Sequence, residues 1–104
     1  MITETQAVDR FSALSDSSRL SILRILVRAG PKGMGAGDIA RAVGASPSRA
    51  SFHLTALARA DLVASRREAR RIIYTVRFDA LGELLRFLVE DCCAGDASLR
   101  GCCG

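Results

Sequence analysis

A mostly α-helical domain carrying a β-hairpin is what this 104-residue sequence predicts. Apolar residues recur at helical spacing in four stretches before residue 60 and again after residue 79. In between, "RIIYTVRF" drops to a period of two, the mark of a half-buried strand. The length suits one folding unit, and an apolar fraction of 49% suits a modest core. Residues 1–91 form the expected domain, and residues 92–104 a flexible, cysteine-containing tail.

In "AVDRFSALS", Val8, Phe11 and Leu14 fall on one helical face. Asp16 is a suitable N-cap for "SSRLSILRILVRA", where Leu20, Leu23, Leu26 and Val27 form a stripe. Gly30 and Pro31 together stop that helix. "AGDIARAV" fits a short helix ended by Gly44. Ser46 then caps "SPSRASFHLTALARADL", with Pro47 at the first helical position, where a missing N–H costs nothing. Two helices joined so closely make a helix-turn-helix candidate.

On a wheel centred on Leu54, Ala50, Leu57 and Ala58 face inward, and His53 lies on the flank. Ser48, Arg49, Phe52 and Ala56 face outward. A phenylalanine among small polar residues suits a DNA major groove, where apolar groups touch thymine methyls. Downstream, Ile72, Tyr74, Val76 and Phe78 alternate, and with "LVASR" they make a hairpin tipped by "RREARR". A final helix, "DALGELLRFLVEDCC", lines up Leu81, Leu84, Leu85, Leu88 and Val89. A spacing of four carries this stripe onto Cys92 and Cys93. The first and last helices offer more apolar surface than so small a core can bury, so a homodimer through them is expected.

The net charge of +4 is unevenly placed. Residues 41–77 hold eight arginines against Asp61 and Glu68, a concentration that points to a polyanion such as nucleic acid. The tip arginines, Arg66, Arg67, Arg70 and Arg71, repel one another unless something such as a duplex backbone neutralises them. No apolar run approaches the roughly 18–20 residues of a membrane span. The opening "MITETQAVDR" lacks a signal peptide's basic and apolar regions. A cytosolic protein with reduced thiols and no membrane partner is therefore expected.

The segments "ALSDSSRLSILRILV", "MGAGDIARAVGASPSRASFHLTALARADLVASRREARRIIYTV" and "FDALGELLRFL" resemble the ArsR/SmtB family of winged-helix repressors over about residues 8–91. The resemblance implies a winged helix-turn-helix fold and a homodimer that releases double-stranded operator DNA when an inducer binds. It places DNA contacts on Pro47, Ser48, Ser51 and Phe52, with Arg49 beside them. Pro47 departs from the frequent glutamine and Phe52 from the frequent histidine. With the cap and the wing included, the expected DNA-binding residues are Ser46, Ser48, Arg49, Ser51, Phe52, Arg66, Arg67, Arg70 and Arg71.

The family's common inducer site, a cysteine pair in the helix before recognition, is absent from "GDIARAV". Its two-histidine zinc site is excluded because His53 is the sole histidine. Some arsenic-responsive members have an adjacent cysteine pair ending the last helix and another cysteine several residues on. Cys92, Cys93 and Cys102 match that arrangement, with Cys103 as a substitute for Cys102. Adjacent cysteines do not readily form a disulfide together, but both can donate to one soft ion. The eight residues between the pairs, if flexible, reach roughly 14–17 Å, enough to fold back to the helix end.

That end carries the negative pole of the helix dipole, near Glu90, Asp91 and Asp96. Zinc on four thiolates would add a net charge of about −2 there, whereas arsenite on three thiols leaves a neutral pyramid. As(III) or Sb(III) is therefore the expected inducer, with no catalytic cofactor. Zinc or cadmium, or an oxidant or sulfide acting through a disulfide between the pairs, remain alternatives. A dithiol oxidoreductase is disfavoured because no helix N-terminus or histidine activates these thiols.

Overall fold

Three of the helices begin where a side chain satisfies their unpaired N–H groups. Thr3 and Gln6 form a reciprocal capping box before α1 (Glu4–Leu14). Asp16 accepts from the Ser18 and Arg19 amides before α2 (Ser17–Ala29). Ser46 accepts from the Arg49 amide before α4 (Pro47–Arg59). The computed structural model describes residues 2–92. Its remaining elements are a 3-10 turn (Gly30–Lys32), β1 (Met34–Gly35), α3 (Ala36–Val43), β2 (Val63–Glu68), β3 (Arg71–Val76), α5 (Phe78–Arg86) and a π-helical turn (Phe87–Cys92). Gly44, in the left-handed region at φ 68°, ends α3, as the sequence suggests.

The hairpin is part of a three-stranded antiparallel sheet of order β1-β3-β2. The added strand is two residues long, too short to show a period, and pairs Met34 with Tyr74 and Gly35 with Ile73. Gly33 makes this approach possible. It sits at φ +69°, and a Cβ there would collide with the Tyr74 carbonyl and the Thr75 side chain. On the other side, β2 and β3 pair from Val63↔Val76 to Glu68↔Arg71, so Ala69 and Arg70 alone form the turn.

Ile22 and Leu26 of α2, Ile39 of α3, Leu54 and Leu57 of α4, and Leu62 build the central core. A second cluster joins Ile2 and Ala7 to Leu84 of α5, with Leu14 and Phe87 against it. Between them lies a buried charge that no local pattern in the sequence announces. Arg10 Nη1 donates to the Ala80 carbonyl at 2.9 Å and to Glu83 Oε1 at 3.3 Å, tying α1 to α5.

Several predicted faces are rotated. In α1 the buried residues are Ala7, Arg10 and Ala13, while Val8 and Phe11 are exposed. In α2 the inward face is Ile22, Leu23 and Leu26, leaving Leu20 and Val27 in solvent. His53 is buried and Ala58 exposed, because α4 packs against α2 and α3 as well as β2, which turns His53 inward. Along β3, Ile73 and Val76 are buried and Ile72 is exposed, so burial follows depth beneath the helices rather than strict alternation. Phe78 opens α5 instead of ending the strand, and is exposed. In α5 itself Leu84 is buried, as is Val89 in the turn beyond, whereas Leu85 is exposed. That π-helical turn changes the hydrogen-bond step from four residues to five. The expected continuation of the apolar stripe onto the Cys92 and Cys93 side chains lies outside the described residues.

Candidate nucleic-acid interface

The exposed face of α4 is built by exclusion. Ala50, His53, Leu54 and Leu57 are drawn into the core, so Ser48, Arg49, Ser51, Phe52 and Thr55 must face solvent. Ser46 is also exposed, but its hydroxyl already caps the helix through the Arg49 amide at 3.2 Å. It also lies 3.4 Å from the Ser48 hydroxyl. Phe52 is 64% exposed, a large apolar ring on an otherwise small and polar surface. Beside it runs an open groove of about 730 Å³, bounded by Asp9, Ser12, Arg19, Ser51, Phe52 and Arg59.

His53 is a hydrogen-bonding residue of the packed interior. Its Nδ1 accepts from Arg19 Nε at 3.2 Å. The Arg19 guanidinium lies over the Phe52 ring, 5.7 Å from its centroid. Asp16, which caps the helix carrying Arg19, has its carboxyl held below the usual range, chiefly by the Arg19 amide. Asp79 is lowered too, by the side-chain hydrogen bond from Arg77.

The wing departs from the expectation of four uncompensated arginines. Arg66 donates to the Lys32 carbonyl at 2.8 Å and pairs with Glu68 at 3.3 Å. Arg71 pairs with Asp38 of α3 at 2.7 Å, and Asp38 also holds Arg41. These interactions fasten the wing to α3 and the 3-10 turn. Arg67 and Arg70 make no ion pair or side-chain hydrogen bond among the described residues, and both are exposed. The structure thus puts Ser48, Arg49, Ser51 and Phe52 on one helix face, and leaves two of the four wing arginines uncommitted.

Arg19 and Asp38 join the site although sequence reasoning does not single them out. Arg19 stands in the stretch "DSSRLSIL", but nothing local says that it reaches another helix. Among the described residues no cluster of three or more histidine, cysteine and carboxylate side chains is suited to a metal ion. Cys93, Cys102 and Cys103 lie outside them.

A capped helix pair with a short turn, its second helix turned outward, and a basic hairpin fastened beside it define a winged helix-turn-helix protein that binds DNA. The sequence matches the helix-turn-helix domain family over residues 14–66. It is 34% identical over 88 residues to the HTH-type transcriptional regulator YgaV of Escherichia coli, covering 85% of this chain and 87% of that one. The fold is similar to an ArsR-like transcriptional regulator from Rhodococcus, with TM-score 0.76, 29% identity and coverage of 93% and 89%. It is similar to the homodimeric winged helix-turn-helix DNA-binding domain of Mb0332 from Mycobacterium bovis, with TM-score 0.69, 31% identity and coverage of 84% and 80%. A further structure, named "Possible transcriptional regulator for arsenical resistance", gives TM-score 0.69 at 25% identity, covering 80% and 82%. The chain belongs to the helix-turn-helix transcriptional regulators, and is of the ArsR-like winged-helix type. It is a DNA-binding regulator rather than an enzyme. No helix among the described residues is long and apolar enough to cross a membrane.

Proposed function

We propose that this regulator is a cytoplasmic homodimeric repressor whose operator is released when As(III) or Sb(III) binds Cys92, Cys93 and Cys102, with Cys103 able to replace Cys102. One observation carries the reading: all four cysteines fall in the last thirteen residues, as two adjacent pairs, and none occurs elsewhere. The exposed Ser48, Arg49, Ser51 and Phe52 would meet base edges, with Ser46 at the helix start near the backbone. Arg67 and Arg70 would meet phosphates, with Arg66 and Arg71 behind them. A two-fold dimer would present two such helices to a palindromic site, and the homodimeric relative supports this.

The thiols favour a trivalent metalloid on electrostatic grounds. They follow the negative pole of α5 and neighbour acidic residues, where three thiols on arsenic add no net charge. The name of one structural relative, which mentions arsenical resistance, points the same way. Inducer and operator then weaken each other equally, by roughly 1–3 kcal/mol, if the metalloid suits the free dimer better than the bound one.

The test is release of a DNA duplex selected by the protein from a random library, titrated with arsenite, antimonite, zinc, cadmium, peroxide and polysulfide. Arsenite and antimonite are expected to act at the lowest concentration. Serine at Cys92 or Cys93 should abolish release and leave DNA binding intact. Serine at Cys102 or Cys103 alone should be tolerated in part, and the double change should not. Release by peroxide or polysulfide, with no effect of arsenite, would make the protein a thiol redox sensor instead. Release by zinc or cadmium alone would make it a divalent-metal sensor.

A further inference from the structure

The cation that faces Phe52 comes from a different helix. The Arg19 backbone amide is held by Asp16 Oδ1 at 3.1 Å, which fixes the start of α2. From there the side chain crosses to α4, where its Nε–H donates to His53 and its guanidinium covers the Phe52 ring. The Phe52 and His53 rings meet edge to face, with centroids 5.5 Å apart and planes at 67°. His53 is only 6% exposed, so it cannot swing away from this contact. An exposed phenylalanine ordinarily samples several rotamers. Here one face of the ring is set against a guanidinium that is itself anchored at both ends.

We propose that Arg19 and His53 are positioning residues that hold Phe52 in its DNA-reading orientation, so that α2 contributes to the sequence preference of α4. The proposal rests on α4 being the reading helix. It assigns Arg19 a role distinct from phosphate neutralisation, since the guanidinium is directed at Phe52 and His53. Arg19 is also half-buried, unlike the exposed Arg67 and Arg70 of the wing.

The experiment compares binding to a duplex selected from a random library by the wild-type protein with binding to random duplex, across a salt series. The variants are Arg19→Met, Phe52→Ala and the double change, each checked by thermal unfolding. Phe52→Ala should lower the preference for the selected duplex about tenfold. Arg19→Met should lower it about two- to fivefold, with the salt slope and random-duplex binding unchanged. Added to Phe52→Ala, it should have no further effect. His53→Asn, whose Oδ1 can stand in for Nδ1, should keep more of the preference than His53→Leu, and this pair decides the matter if Arg19→Met folds poorly. Equal weakening on both duplexes with a shallower salt slope would make Arg19 a backbone contact and overturn the proposal. Effects that simply add in the double variant would overturn it too. If Phe52→Ala leaves the preference intact, Phe52 does not read the duplex and the positioning role fails. Loss of preference in neither Phe52→Ala nor Arg49→Ala would remove α4 as the reading helix.

Discussion

Asp16 shows how much one side chain organises here. Its carboxylate accepts from the Ser18 amide at 2.9 Å and the Arg19 amide at 3.1 Å, which starts α2 and sets the origin of the Arg19 side chain. These bonds favour the ionised form, so the folded-state pKa is depressed. A depressed carboxylate contributes stability above its unfolded pKa, and that stability fades as pH falls through the folded value. Asp16→Ala should therefore lower the Tm clearly at neutral pH. The difference from wild type should narrow once the pH drops below the usual carboxylate range. Melting curves recorded from neutral pH into acid check this, and a pH-independent difference would show that the cap acts without its charge. The cap itself was legible in the sequence, because it depends on neighbours two and three residues away. The Arg19 hydrogen bond to His53 was not, since it spans thirty-four residues.

At the scale of elements, the wing is a hairpin fastened near its tip. Arg71 to Asp38 and Arg66 to the Lys32 carbonyl tie the hairpin to α3 and to the turn before β1, while Gly33 lets β1 lie against β3. The arginines of the tip consequently divide into two kinds. Alanine at Arg67 or Arg70 should weaken selected and random duplexes alike, lowering the magnitude of the salt slope by about 0.9 for each phosphate no longer neutralised. Alanine at Arg71 should change the slope less, and should loosen the wing instead, read as faster amide exchange across β1 and β3. Equal slope changes at all four arginines would mean that the internal pairs open on DNA. The charge run was plain in the sequence. Its division was not, because Asp38 lies thirty-three residues from Arg71 and only the fold brings them together.

At the scale of the molecule, α1 and α5 differ in surface from α4 and the wing. α4 and the wing carry the exposed Arg49, Arg59, Arg67 and Arg70, whereas Val8 and Phe11 of α1 and Phe78 and Leu85 of α5 are exposed apolar residues. Arg10 binds these two helices together from inside the protomer, so they would move as one unit. A proposed two-fold dimer through them would cover the apolar residues. Leu85→Glu should then give a monomer by analytical ultracentrifugation. It should also weaken binding to the selected duplex far more than to random duplex, since the two half-sites are then no longer read together. A Leu85→Glu protein that stays dimeric would move the interface elsewhere, with Leu20 and Val27 of α2 as the next exposed apolar pair.

Sequence alone determined what depends on near neighbours. The caps at Asp16 and Ser46, the stops at Gly30 and Gly44, the helix pair joined by three residues, the change of period and the gathering of thiols are all local patterns. Tertiary structure decided which side of each element is inside. That choice placed His53 in the core and Val8, Phe11, Leu20 and Val27 outside, and it moved the buried positions of β3 to Ile73 and Val76. The physical reason is that periodicity shows a segment has an apolar face, but its exact centre is chosen by the elements packed against it. A few ångströms of helix rotation then separate a core residue from a surface one. Long-range polar interactions follow the same logic: Arg10 to Ala80, Arg19 to His53 and Arg71 to Asp38 each join residues more than thirty positions apart. They exist only once packing has brought donor and acceptor within reach.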